Sequence, residues 1–303
     1  MIPAEETFDG TFPFKPHFSG APGFRMHYID EGDGEPIVCL HGEPTWGYIY
    51  RNFIPALGKH HRVVVPDHMG FGKSETPAAR EYTLSIHVDN LEALLLELDL
   101  RDVTLVMQDW GGPIGGGFAT RHPDRVKRLC LINAVVPLGL PLERELFPKG
   151  AKSEWFRWIR SAHADGSLDD VLGNLGVTIL SVMKLLGFEN GAVVDQTWIR
   201  AYAAHFKTRE DCQGAINFPL DFATGRVRFQ TGGARETAAI RAKPAMLVEG
   251  MRDRAIPPEV ALTHFRSGFP RGALVQLADA GHFCQEDAPE TLVALIEQFV
   301  QLT

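Results

Sequence analysis

Residues 105–112 read LVMQDWGG. Three apolar residues lead into a glutamine, an aspartate, a tryptophan and two glycines. The run from Val103 to Gln108 has the length and composition of a buried strand. It runs into a tight turn with a carboxylate at its tip. Glycine suits a turn, so the two glycines are expected to keep this one tight. Geometry alone gives no reason for Asp109 or for the large indole of Trp110.

Outward from this stretch, short apolar runs alternate with amphipathic segments. Phe24–Asp30, Pro36–Gly42, His61–Asp67, Lys127–Ala134, Pro244–Gly250 and Ala273–Gly281 read as further strands. Tyr82–Leu100 carries Leu84, Val88, Leu91, Leu94, Leu95 and Leu98 at helical spacing, and Gly112–His122 and Pro289–Gln301 also read as helices. Near-continuous apolar strands alternating with helices predict an α/β protein with a mostly parallel sheet covered on both faces. The alternation stops between Asn133 and Pro244. That region is helical in pattern and rich in aromatic residues, with Trp198, Tyr202 and Phe206 spaced as one helix face. Residues 137–225 are read as a helical insertion, and 1–136 with 226–303 as the core domain.

Composition narrows the function classes. Hydrophobic residues make up 45% of the 303 and charged residues 22%, which excludes disordered and fibrous classes. The net charge of −8 comes without a basic run, against nucleic-acid binding. Cys39, Cys130, Cys212 and Cys284 are far apart and show no zinc spacing, so they read as buried thiols in a reducing compartment. The N-terminus has no signal-peptide pattern, and no run has the roughly 18 apolar residues of a membrane helix, so a cytoplasmic location is expected. Two phosphate-loop look-alikes fail. The loop at Asp67–Ser74 has Asp67 where the Walker pattern needs its first glycine, and the glycines of 111–117 miss the dinucleotide spacing.

In doubly wound sheets, ligands gather at the carboxyl ends of the strands. Those ends carry His41-Gly42-Glu43, then Asp109, then Asp253, then His282. The order of nucleophile candidate, acid and histidine is that of the α/β-hydrolases, with Asp109 where serine would stand. HGEPTWGYIYRNFIPAL, VVVPDHMGFGKSE, LVMQDWGGPIGG, RLCLINA and LADAGHFCQE together resemble the haloalkane dehalogenases. The HGEPTW form is nearest the subgroup with its triad acid after the seventh strand. The resemblance covers about 24–136 and 240–300. It implies an α/β-hydrolase fold with a helical cap after strand six, and neither metal nor organic cofactor.

The resemblance assigns Asp109 as nucleophile, His282 as base and Asp253 as the acid that orients it. A carboxylate attacking a saturated carbon makes an ester, which water can cleave; a serine would make an inert ether. The oxyanion donors it implies are the backbone N–H groups of Glu43 and Trp110. An indole N–H is a donor without a lone pair, which suits a departing halide. Trp110 is one such donor; the second is a cap tryptophan, Trp155 or Trp158, with Trp155 preferred. Glu43 is also a candidate to orient the hydrolytic water. The expected partners are a small apolar halogenated substrate, water and the released halide, with no nucleic acid or membrane. Two alternatives use the same nucleophile. An epoxide hydrolase needs cap tyrosines, and only Tyr202 lies in that region. A β-lactone decarboxylase is compatible with the Asp–Trp pair.

Overall fold

The apolar runs assemble into one eight-stranded sheet in a computed structural model that describes residues 1–303. The strands are β1 (His17–Ser19), β2 (Met26–Glu31), β3 (Pro36–Leu40), β4 (Arg62–Pro66), β5 (Val103–Gln108), β6 (Val126–Ile132), β7 (Ala245–Gly250) and β8 (Ala273–Leu277). Their spatial order is β1-β2-β4-β3-β5-β6-β7-β8. Neighbours from β4 to β8 pair in parallel; β2 runs antiparallel to both β1 and β4. The expected α/β-hydrolase architecture is what the chain adopts. β1 has no sequence signature: three residues are too few for an alternation.

Ten helices have eight residues or more. They are α1 (Leu84–Glu97), α2 (Gly111–Arg121), α3 (Glu143–Gly150), α4 (Glu154–Asp165) and α5 (Leu175–Leu186), then α6 (Gln196–Ala203), α7 (Gln213–Ala223), α8 (Ala234–Arg241), α9 (Pro258–Gly268) and α10 (Pro289–Leu302). Local chemistry sets several of their ends. The Thr83 hydroxyl accepts the Ile86 N–H at the start of α1, and Ser153 does the same for Phe156 in α4. Asp195 caps α6 through the Trp198 N–H at 2.7 Å. Because α6 ends at Ala203, Phe206 lies beyond the helix, although it is buried as Trp198 and Tyr202 are. No helix is long and apolar enough to cross a membrane. The four cysteines are free and buried.

Helices α3 to α7 all lie between β6 and β7. Two polar contacts tie α6 to the segment after β3. The Trp46 indole N–H donates to Ala201 O at 2.9 Å. The Tyr202 hydroxyl donates to Glu286, which the Arg51 guanidinium grips with two hydrogen bonds. Charge-assisted, two-pronged pairs of this kind fix geometry as well as adding attraction.

The sheet order positions the site. The chain leaves β3 for β4 on one side, and β5 lies on the other. The crevice between the carboxyl ends of β3 and β5 is therefore a topological switch point, where open α/β sheets bind ligands. Residues 41–43 and 108–110 meet there.

Candidate active site

β5 is buried along its whole length and delivers the chain to Asp109 at the carboxyl end of the sheet's interior strands. Asp109 adopts φ 48°, in the left-handed region that few non-glycine residues occupy. Such strain persists where surrounding structure enforces it, and it concentrates at functional sites. The glycines have another role than the one expected of them. The turn's positive φ falls on Asp109 itself. A Cβ at Gly111 would sit 2.4 Å from Leu40 O, and one at Gly112 2.4 Å from Val135 O. They let the start of α2 press against the ends of neighbouring strands. Gly42 does the same opposite, since a Cβ there would strike the Asp109 side chain at 2.4 Å.

These close approaches bring backbone donors onto the carboxylate. The Glu43 N–H donates to Asp109 Oδ2 at 3.0 Å, and the Trp110 N–H also supports the anion. Burial lifts the Asp109 carboxyl above its ordinary range, and the His282 charge and these two N–H groups offset only part of that rise. Asp109 Oδ1 lies 3.8 Å from His282 Nε2. Glu43 itself is buried, and one of its carboxyl oxygens has no partner. Burial first, and then the neighbouring Asp109 charge, push its carboxyl well above the usual range, toward the neutral acid.

On the far side of the imidazole, His282 Nδ1 lies 2.8 Å from Asp253 Oδ2. Asp253 is held from several directions. Its Oδ1 accepts the N–H groups of Ala255 and Ile256 at 2.7 and 2.9 Å, and its Oδ2 accepts Asn133 Nδ2 at 2.8 Å. Asn133, also at positive φ (45°), accepts the Gly250 N–H on its Oδ1 at 3.1 Å. Burial alone would depress the His282 pKa. The Asp253 carboxylate, its hydrogen bond and the Asp109 charge together outweigh burial and raise it. The fold thus brings Asp109, His282 and Asp253 together from three separate strand ends.

Above them lies a cavity of about 540 Å³, counted with the space at its open mouth. Its lining is apolar apart from Asp109 and the Trp110 N–H, and four phenylalanines (Phe147, Phe156, Phe222 and Phe229) form much of it. Trp110 is stacked on Phe218, with ring centroids 4.6 Å apart and planes within 12°. That clamp fixes the direction of its indole N–H, which no protein acceptor takes up.

Neither cap tryptophan is brought to this cavity. Trp155 and Trp158 stack on each other, 5.3 Å between centroids, and the residue of α4 that lines the cavity is Phe156, packed on Phe222 at 4.6 Å. Tyr202 is also outside the lining, its hydroxyl engaged by Glu286. Sequence reading gives no role to the orienting contacts of Asn133 or to Gln108, which stands between Gly42 and His282. Their signal is nonetheless present: each is a polar residue ending a buried strand. His, Cys, Asp and Glu side chains form no cluster of three that could hold a metal ion.

A family model described as alpha/beta hydrolase fold matches residues 35–289. The chain is 30% identical to "Haloalkane dehalogenase 2" of Mycobacterium tuberculosis, over 95% of this chain and 96% of the relative. The chain belongs to the alpha/beta hydrolase fold family, in its haloalkane dehalogenase group. The hydrolase is as similar to a protein of another name, the "Cis-3-alkyl-4-alkyloxetan-2-one decarboxylase" of Shewanella oneidensis, at 32% identity over 97% of this chain and 91% of the relative. Among solved structures it resembles the tetrameric haloalkane dehalogenase of Paraglaciecola agarilytica, with TM-score 0.71 and 29% identity over 97% of this chain and 95% of that one.

Proposed function

We propose that the protein hydrolyses haloalkanes to an alcohol, a halide and a proton, with residues 137–225 as the cap over the site. One observation carries this reading: an aspartate at the switch point has one oxygen held by a backbone N–H and faces an apolar cavity beside an unpaired indole N–H. With Oδ2 held, Oδ1 is the attacking atom. It forms a C–O bond as the carbon–halogen bond breaks, and the electron pair leaves with the halide toward the Trp110 N–H. No proton moves in that step.

His282 Nε2 then takes a proton from water, and the water oxygen attacks the Asp109 ester carbonyl carbon. Negative charge develops on Oδ2, which the Glu43 N–H already holds, with the Trp110 N–H beside the same carboxylate. Collapse expels the alcohol, regenerates Asp109 and leaves a proton on His282 to pass to solvent. Asp253 holds the imidazole tautomer and stabilises its cation. The four buried free cysteines fit a reducing, cytoplasmic setting.

A second reading, decarboxylation of β-lactones, is favoured by two observations. Relatives named as oxetan-2-one decarboxylases match at 32% and 33% identity. The cavity also offers one indole N–H rather than two. Halide release from 1-chloro- and 1-bromoalkanes, assayed beside turnover of a dialkyl β-lactone, decides between them. Halide release supports dehalogenation; turnover of the lactone alone transfers the assignment to decarboxylation.

A further inference from the structure

The mechanism leaves Gln108 of LVMQDWGG without a role, yet its side chain touches the base. Gln108 is the last residue of β5 and fully buried. Its Oε1 accepts the Gly42 N–H at 3.1 Å. Turning the amide over would leave that buried N–H facing a donor, which costs more than a hydrogen bond gains. The orientation is therefore set, and Nε2 faces His282. It lies 3.1 Å from imidazole Nε2 and 3.4 Å from the His282 carbonyl oxygen. Across the ring, Nδ1 faces the Asp253 carboxylate, which only accepts. Nδ1 therefore carries the hydrogen and Nε2 the lone pair.

We propose that Gln108 is a positioning residue: its amide N–H donates to the Nε2 lone pair of His282 and keeps the imidazole neutral and aimed beside Asp109 until water takes that place. The functional consequence rests on the hydrolytic reading above. The charged groups around the ring explain the need. Asp253 and Asp109 both favour the imidazolium. Glu43, beside Asp109, and Glu249 and Cys284, near Asp253, are pushed toward their neutral forms by burial first and by neighbouring carboxylates second. An imidazolium cannot take a proton from water, so a resting site left to its two carboxylates would lose its base. Gln108 opposes them. A protonated Nε2 would meet the Gln108 N–H donor against donor, and hydrogen bonding to the neutral form disfavours the charged one. The same repulsion helps the proton leave His282 after hydrolysis.

The test is an NMR titration of His282 in the resting enzyme, which needs no substrate. Gln108→Glu keeps an acceptor for Gly42 N–H and turns an acceptor oxygen toward Nε2. It should raise the His282 pKa by about one unit or more. Gln108→Met removes the donor alone and should raise it by a smaller amount, and it decides the matter if the glutamate variant does not fold. The acid limb of alcohol release should move to higher pH in step with the titration, whereas a merely structural role would lower the rate without moving that limb. A His282 pKa unchanged from wild type in the soluble variants overturns the proposal. If wild type turns over no haloalkane, the hydrolytic reading fails, and the titration still reports on the Gln108–His282 contact.

Discussion

The floor and the roof of the cavity are built on different principles. The floor, at the ends of β3, β5, β6 and β7 and the turn after β8, is polar and over-determined. Asp253 alone accepts from the ring of His282, an asparagine side chain and two backbone N–H groups. The roof, from α3, α4, α7 and the segment that follows α7, is a set of phenylalanines that touch through their rings. Hydrogen bonds with definite donors hold atoms to fractions of an ångström, while apolar packing tolerates exchanges of similar volume. The floor therefore specifies a reaction. Under the proposed function the roof selects which substrates reach it, and neither expected tryptophan, Trp155 or Trp158, lines the cavity.

Variants can sharpen this contrast. The largest effect is expected at the floor, where Asp109→Ala should abolish halide release while the circular dichroism spectrum stays that of wild type; substantial residual release would remove Asp109 as nucleophile. Asp253→Asn should lower kcat by about 10³-fold, since the imidazole loses the carboxylate that fixes its tautomer. The sign of its pH effect follows from the cause of the shift. Asp253 raises the His282 pKa, so wild type should lose activity as pH falls through a value above the ordinary histidine range, about 6.5. In Asp253→Asn that limb should move to lower pH. An acid limb that stays in place would show that another group controls it.

Effects should shrink toward the roof. Trp110→Phe keeps the stack on Phe218 but removes the N–H. A loss of about 10²-fold is expected, greater for chlorides than for bromides because chloride is the poorer leaving group. Equal losses for both halides would argue that Trp110 acts through packing. Phe156→Trp offers the cavity a second indole N–H. It should improve chloride turnover relative to bromide by up to about tenfold, the equivalent of one modest hydrogen bond. No change in that ratio would mean the α4 position cannot reach the halide.

The same divide explains what can be read from sequence. Strands are legible because a strand buried on both faces is apolar throughout, and β5 spans the residues its composition marks. The convergence of the candidate residues Asp109, Asp253 and His282 is legible because chemistry-bearing groups at strand ends meet once the sheet order is known. The glycines after Trp110 mislead, because a need for close backbone approach looks in sequence like a need for a turn. Phe206 groups with Trp198 and Tyr202 by spacing alone, and spacing does not show where a helix stops. Trp155 and Trp158 are favoured for their chemistry. Which residue of α4 faces the cavity is set by how that helix rolls against α7, a matter of tertiary packing rather than residue type.

The proposed reaction turns on a covalent ester on Asp109 that His282 is needed to clear. Treating His282→Gln with a 1-bromoalkane and analysing the intact protein and its peptides by mass spectrometry tests it most directly. The expected result is one alkyl group added per chain, on the peptide bearing Asp109, together with a single stoichiometric burst of bromide. Continued bromide release by this variant with no adduct on that peptide would contradict it.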